Sequence, residues 1–229
     1  MKAIIFDAST MITLTMNGLL KEFRGLKKIF NGKFLITKDV KKEIVDKPSR
    51  INRFKLEALK LNELISDKVL EMSSSVGINP VIVSQKTEEF KKIANSTFTA
   101  EKEIHILDSG EASCFALSRL LDEKNIQNVL AIDERTARML GEKPENLHKL
   151  LERKLHKKIT AKKENYEFFK GFKFIRSSEL IYVAYKKGII GLKNGVLEAL
   201  LYAVKFKGCA ISNEEINEIR TIGKGNRKY

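Results

Sequence analysis

Ala3-Ile4-Ile5-Phe6-Asp7 and Val129-Leu130-Ala131-Ile132-Asp133 are the two stretches that decide the fold of this chain. Each is a short apolar run that ends in an aspartate. Such a run, bounded by polar residues, reads as a strand buried on both faces, the kind found in parallel sheets. The carboxyl ends of those strands open onto the crevice where α/β proteins bind ligands. Two carboxylates there, in a chain that is otherwise strongly basic, predict a cation site facing a polyanion.

Outward from these runs, residues 33–37 read as a second strand, leading into a short helix from 38 to about 46 that Pro48 ends. Phe54, Ala58, Leu61 and Ile65 recur at helical spacing and predict an amphipathic helix. Residues 68–72 read as a third strand ended by Ser73-Ser74-Ser75, and 80–103 hold another helix despite the alternating Val81-Ile82-Val83. The stretch 111–122 is apolar on most sides and predicts a buried helix, its alanines permitting close approach. After the strand to Ile132 come a helix from 134 to about 140 and a last strand at 173–175. Two helices near 178–187 and 194–207 follow, then a short one opened by Ser212-x-x-Glu215, a capping-box pattern. Strands alternating with helices predict an α/β fold, a three-layer α/β/α sandwich around a mostly parallel sheet.

Between 143 and 171 the composition changes. Lys149, Arg153, Lys154, Lys157, Lys158, Lys162 and Lys163 crowd a segment whose Leu147, Leu150, Leu151 and Leu155 keep helical spacing. It reads as a basic helical arm inserted before the last strand; the plain alternative is a surface helix packed on its leucines. Residues 1–222 are thus expected to form one domain with an insertion at about 143–171, and 223–229 a disordered basic tail.

The chain has 229 residues with 43 Lys plus Arg against 29 Asp plus Glu, a net charge of +14. That balance favours an acidic partner, nucleic acid first and an anionic membrane surface second, against the plainer reading of a Lys-rich thermophile surface. Cys114 and Cys209 are the only cysteines, so no Cys-x-x-Cys pair exists, which excludes a zinc ribbon and argues against a disulfide framework. No stretch approaches the ~18 apolar residues of a membrane span, and the opening apolar run is too short for a signal peptide, so a cytoplasmic protein is expected.

Four acids stand out. Asp7 and Asp133 each end a strand, although an aspartate there can simply cap the next helix. On the helix after the second strand, Glu43 lies about 60° from the apolar centre, whereas Asp39 and Asp46 lie about 100° and 120° away. Glu43 is therefore the acid expected to look inward. Asp108-Ser109-Gly110-Glu111 precedes the buried helix, with Asp108 as its cap and Glu111 in the first turn pointing to the sheet end. Four carboxylates brought together repel one another unless cations neutralise them or some are protonated. All-oxygen ligands suit Mg²⁺ or Mn²⁺, and His105, His148 and His156 have no ligand-like spacing.

These residues resemble a family, the PIN domain, a metal-dependent nuclease fold. The resemblance is carried by Phe6-Asp7-Ala8-Ser9, Glu43, Gly110-Glu111-Ala112 and Asp133-Glu134-Arg135-Thr136-Ala137-Arg138, in order and spacing. It continues through Ser177-Ser178-Glu179-Leu180-Ile181, Lys187-Gly188-Ile189-Ile190 and the segment from Leu197 to Ser212, which look like the C-terminal half of a prokaryotic PIN subfamily. It covers most of the chain except about 76–103 and 143–171. Where that subfamily usually has Gly-Thr, this chain has Arg176-Ser177, which leaves substrate choice open: Arg176 either contacts a phosphate or pairs with an acid.

The resemblance implies a Mg²⁺- or Mn²⁺-dependent endoribonuclease with Asp7, Glu43, Glu111 and Asp133 as catalytic residues. Asp7, Glu111 and Asp133 would be the metal ligands, and Ser9, Glu134, Arg176 and Ser177 the supporting residues. Lys154, Lys157, Lys158 and Lys162 would bind the RNA backbone independently of sequence. Its role is either RNA processing or that of the toxin of a toxin–antitoxin pair, with RNA, a protein antitoxin and a second copy of the chain as expected partners. The rival from another class is a catalytically idle RNA-binding protein on the same fold. A phosphatase with an aspartate nucleophile would want a second Asp two residues after Asp7, where Ser9 stands.

Overall fold

The computed structural model describes residues 1–192 and 195–225. Along the chain run β1 (Lys2–Phe6), α1 (Ala8–Met16), α2 (Leu20–Ile29), β2 (Lys33–Ile36), α3 (Lys38–Lys41), α4 (Lys55–Ser66), β3 (Glu71–Met72), α5 (Pro80–Thr97) and β4 (Phe98–Thr99). They are followed by α6 (Ser109–Glu123), β5 (Gln127–Ala131), α7 (Arg135–Glu142), α8 (Pro144–Leu155), β6 (Thr160–Ala161), β7 (Phe174–Ile175), α9 (Ser177–Lys186), α10 (Val196–Phe206) and α11 (Asn213–Gly225). The expected α/β sandwich is present: a five-stranded sheet in the order β3-β2-β1-β5-β7, every pairing parallel. The chain lays β2 and β3 on one side of β1, then crosses to lay β5 and β7 on the other. The strand order therefore reverses between β1 and β5.

Strand residues on both faces are apolar because both faces are covered. On one face the Phe6 ring meets Phe23 of α2 edge-on at 5.0 Å and Phe34 of β2 at 4.9 Å. On the other, Phe115 of α6 meets Phe174 of β7 at 5.8 Å, and α5 stacks behind it through Phe90 at 6.0 Å. Helices α1, α2 and α9 pack against one another. At the sheet edge Lys33 and Glu71 pair at 2.7 Å, tying β2 to β3. Among the described residues no helix is long and apolar enough to cross a membrane.

Several expectations are corrected. The third strand is only Glu71–Met72, and Ser73–Val76 coil into a 3₁₀ turn after it. Helix α5 starts at Pro80 with Val81 and Ile82 exposed and Val83 buried, so the apparent alternation is one turn of helix crossing from solvent to core. Phe54 precedes its helix and is exposed. Helix α11 is a full element rather than a short one, opened by reciprocal Ser212–Glu215 hydrogen bonds of 2.8 and 3.1 Å. It runs to Gly225, so the tail expected from 223 does not begin there; residues 226–229 lie outside the described residues, as does Asn194.

At the insertion the plainer of the two expectations holds, a helix packed on its leucines. It is no free arm. Leu147 and Leu151 of α8 are buried, while Leu155 faces solvent. After α8 the chain forms β6, which pairs antiparallel with β4 in a separate two-stranded ribbon. It then coils through a 3₁₀ segment, Lys163–Phe169, that buries Tyr166 and Phe169. Phe168, Phe169 and Phe172 gather around Phe90 at 4.6 to 5.9 Å. The lysines are the outer face of a segment whose inner face belongs to the core. Phe169→Ala should therefore cost the whole protein roughly 3–5 kcal/mol. Urea unfolding checks this; a change below about 0.5 kcal/mol, as at an ordinary surface site, would mean the segment is a solvated appendage after all.

Candidate active site

The parallel ladder between β1 and β5 pairs Phe6 with Ala131 and continues one step further, where the Asp7 N–H donates to the Ala131 carbonyl at 3.0 Å. Asp7 and Asp133 thus leave adjacent strands at the reversal of strand order, where α/β sheets hold their ligands. Both side chains are buried. Ser9 joins them. Its hydroxyl donates to Asp7 Oδ2 and accepts the Asp133 N–H at 3.1 Å. Asp7 also caps α1 by accepting the Ser9 N–H at 3.0 Å, so the capping and site roles coexist in one carboxylate.

Asp133 Oδ1 accepts the Ser177 N–H at 2.7 Å, which anchors the start of α9 to the end of β5. Among the described residues Asp133 Oδ2 is buried with no hydrogen-bond partner. Its backbone carbonyl accepts the Ala210 N–H at 3.2 Å, so the loop after α10 is tied to the same strand end.

Glu43 comes from the turn after β2. There Thr37 caps α3 through the Val40 N–H at 3.1 Å and shares a 2.6 Å hydrogen bond with Ser113 of α6. The helix widens into a π turn over Lys42–Asp46. The Glu43 carboxylate lies against Gly110, where a Cβ would sit 2.5 Å from its Oε2. Gly110 is therefore small so that this acid can approach the first turn of α6. Asp46 instead turns away to Lys41, as the helical phase predicts.

The expected capping box is present: Asp108 is the N-cap of α6, and Glu111 Oε2 reaches back to accept the Asp108 N–H at 3.0 Å, while Asp108 also pairs with His105 at 2.8 Å in solvent. Glu134 likewise caps α7 through the Ala137 N–H at 2.7 Å. Arg176 is held by its own neighbours: Nε donates to Glu179 at 2.8 Å and Nη1 to Glu215 at 2.8 Å. It pairs with none of the four site acids.

The electrostatics make Asp7 the common neighbour. Burial pushes its carboxyl above the usual range, and the charge of Asp133 adds to this against the Ser9 hydrogen bonds. Glu43 is raised by burial, then by Asp7 and Asp108. Glu111 is raised to about 8, first by burial and then by Asp7. Burial also holds the Cys114 thiol well above its ordinary value, with Asp7, Glu43 and Glu111 adding to it, so Cys114 is an apolar neighbour of the acids rather than a nucleophile. The four acids surround one strand-end crevice, yet among the described residues no three acidic, histidine or cysteine side chains stand close enough to share one ion. The donor chemistry nevertheless fits a hard cation: every candidate ligand is a carboxylate oxygen, and Asp133 Oδ2 is buried without a partner.

No family model, curated protein or solved structure matches this chain. Reading the site rests on its geometry.

The expected nucleic-acid contacts Lys154, Lys157, Lys158 and Lys162 are all exposed, and Lys157 is also paired with Glu101 at 2.7 Å. Sequence reading missed Gly110 as the seat of Glu43 and Thr37–Ser113 as its support; a Thr ending a strand before a helix was the available signal.

A carboxyl held above its unfolded value stabilises the protein below that value and loses the contribution as pH rises through the folded one. For Glu111 this window runs from its ordinary 4.5 to about 8. Glu111→Gln keeps an oxygen to cap Asp108 and removes the charge. In chelator its melting temperature should exceed the parent's at pH 8 and match it near pH 4.5. An offset that does not vary across that window would show that Glu111 is not repelled.

Proposed function

We propose that this chain is a divalent-metal-dependent endoribonuclease of the PIN type. What carries the reading is the pair Asp7 and Asp133, two buried carboxylates on adjacent strands at the reversal of strand order, one with an oxygen that has no donor. A buried carboxylate oxygen without a partner is costly, and a cation is the ligand that removes the cost. Asp7, Glu111 and Asp133 would hold Mg²⁺ or Mn²⁺, which when bound activates water and stabilises the leaving oxygen of a phosphodiester. Ser9 holds the two strand ends together, Gly110 admits Glu43, and Ser177 fixes one oxygen of Asp133 so that the other stays available. Arg176, committed to Glu179 and Glu215, acts as a strut between α9 and α11 rather than as a phosphate contact. The charge of +14 supplies the attraction for RNA, in processing or as an antitoxin-controlled toxin.

One observation favours a second reading, an idle RNA-binding protein: Asp7, Glu111 and Glu134 all serve helix starts, so one oxygen of each already has a partner. Asp7→Asn and Asp133→Asn separate the two. Under Mn²⁺ both should lose RNA cleavage to background with unchanged far-UV circular dichroism, and without metal neither should melt below the parent. Either variant cleaving like the parent would remove the assigned site; a parent that binds RNA but cleaves none under Mn²⁺ or Mg²⁺ would establish the idle reading.

The surface lysines give a separate expectation. Lys157 is engaged with Glu101, so the phosphate contacts are assigned to Lys154, Lys158 and Lys162. Changing those three to Ala should weaken RNA affinity evenly across sequences and flatten its salt dependence by up to ~0.7 log–log units per lost contact on single strands. Parental affinity and slope would show that this face does not meet RNA.

A further inference from the structure

Beside the acids, α1, the turn after α3, the start of α4 and the end of α10 enclose an apolar groove of about 650 Å³. Its walls include Ile12 and Met16 of α1, Leu61 of α4, Phe54 and Phe206, and Glu43 stands in it. The two rings are not core residues: Phe54 is 39% and Phe206 79% exposed. Phe206 stacks on Tyr202 at a centroid distance of 6.4 Å, which extends the aromatic surface along α10. Apolar side chains left open on this scale mark a binding surface rather than a packing fault.

What covers it follows from the charges around it. Glu43, Glu57 and Lys207 are the charged residues that line the groove, the Arg53 guanidinium sits 5.4 Å over the Phe54 ring at its edge, and Lys47 is close enough to Glu43 to act on its carboxylate. Among the described residues none of these three cations forms an ion pair with an acid. Exposed aromatic rings with cations beside them that form no ion pair are the equipment for single-stranded nucleic acid: bases stack on the rings and the cations follow the phosphates. The volume falls in the ~300–1,000 Å³ range of small-ligand sites, room for an unstacked base. The wall is also connected to the crevice. Thr13 of α1 donates to the Lys207 carbonyl at 3.4 Å, and three residues later Ala210 donates to the Asp133 carbonyl at 3.2 Å.

We propose that this groove is a base-stacking subsite for single-stranded RNA, with Phe206 and Phe54 as its platforms and Glu43 where it meets the acidic crevice. The identity of the polyanion rests on the nuclease reading; the stacking function does not depend on cleavage.

The test measures binding of a short labelled single-stranded RNA and of the same sequence as a duplex, by fluorescence anisotropy in EDTA, for the parent, Phe206→Ala, Phe206→Leu, Phe206→Trp and Phe54→Ala. Phe206 is so exposed that its substitutions leave the fold intact, checked by melting temperature. Loss of a stacking ring should weaken single-strand affinity roughly 5- to 100-fold in Phe206→Ala, Phe206→Leu and Phe54→Ala. Phe206→Trp should keep it, and duplex affinity should not change. Leu separates the occupants, because an amphipathic helix of a protein values apolar area and a base values a ring. Parental affinity in Phe206→Leu, or in both Ala variants, overturns the proposal. So does sedimentation of the RNA-free protein as a dimer that Phe206→Ala dissociates, which makes the groove an interface between copies. The two readings fail separately: ring variants losing affinity while Asp7→Asn still cleaves leaves the subsite and removes the catalytic assignment. Cleavage that needs Asp7 with ring variants binding normally does the reverse.

Discussion

The parallel pairing of β1 with β5 is the constraint on which the rest depends. Its register, from Lys2 opposite Gln127 to Phe6 opposite Ala131, sets Asp7 and Asp133 beside each other. Because apolar helices cover both faces of these strands, the carboxylates emerge into a low-dielectric crevice rather than into water. Burial there is the first cause of the raised carboxyls at Asp7, Glu43 and Glu111. Moving the register by one residue would send Asp133 away from Ser9 and break the hydrogen bond that joins the two strand ends.

The fold tolerates this concentration of negative charge by setting helix starts around it. Asp7 opens α1 and Glu134 opens α7, each accepting a backbone N–H from the first turn, and Glu111, itself in the first turn of α6, accepts the N–H of its cap Asp108. The partial positive charge of a helix N-terminus favours an anion there. Capping and metal ligation are thus competing uses of the capping oxygens, and Asp133 Oδ2, buried without a hydrogen-bond partner among the described residues, stands outside that competition. A cation that took the capping oxygens of Asp7 and Glu111 would draw them away from their caps. Stability and metal affinity are therefore coupled through these bonds.

Positive charge is distributed differently. The lysines at 149–163 ride on a segment whose inner residues, Leu147, Leu151, Tyr166 and Phe169, complete the core around Phe90. Their charge is held in fixed positions by packing, not carried on a flexible arm. Lys207 and Arg53 stand instead near the apolar groove that adjoins Glu43.

Much of the fold was readable because parallel strands buried on both faces leave continuous apolar runs, and β1, β2 and β5 each announced themselves that way. The acids were readable for a related reason: a polar residue that ends such a run has to sit at the sheet edge. Glu43 was placed by helical phase although a π turn interrupts that phase, and it still faces inward because Gly110 leaves space for it. Two-residue strands such as β4 and β6 carry no period, and their pairing depends on residues over sixty positions apart. Arg176 could not be assigned from sequence because its partner Glu215 lies on α11, brought near only by packing. The sequence alone determined which residues lie at the strand ends and the sign of the charge around them, since burial pattern and composition are local. Only the tertiary structure decided which oxygen each helix claims and which rings stay open, because those outcomes depend on contacts between distant segments.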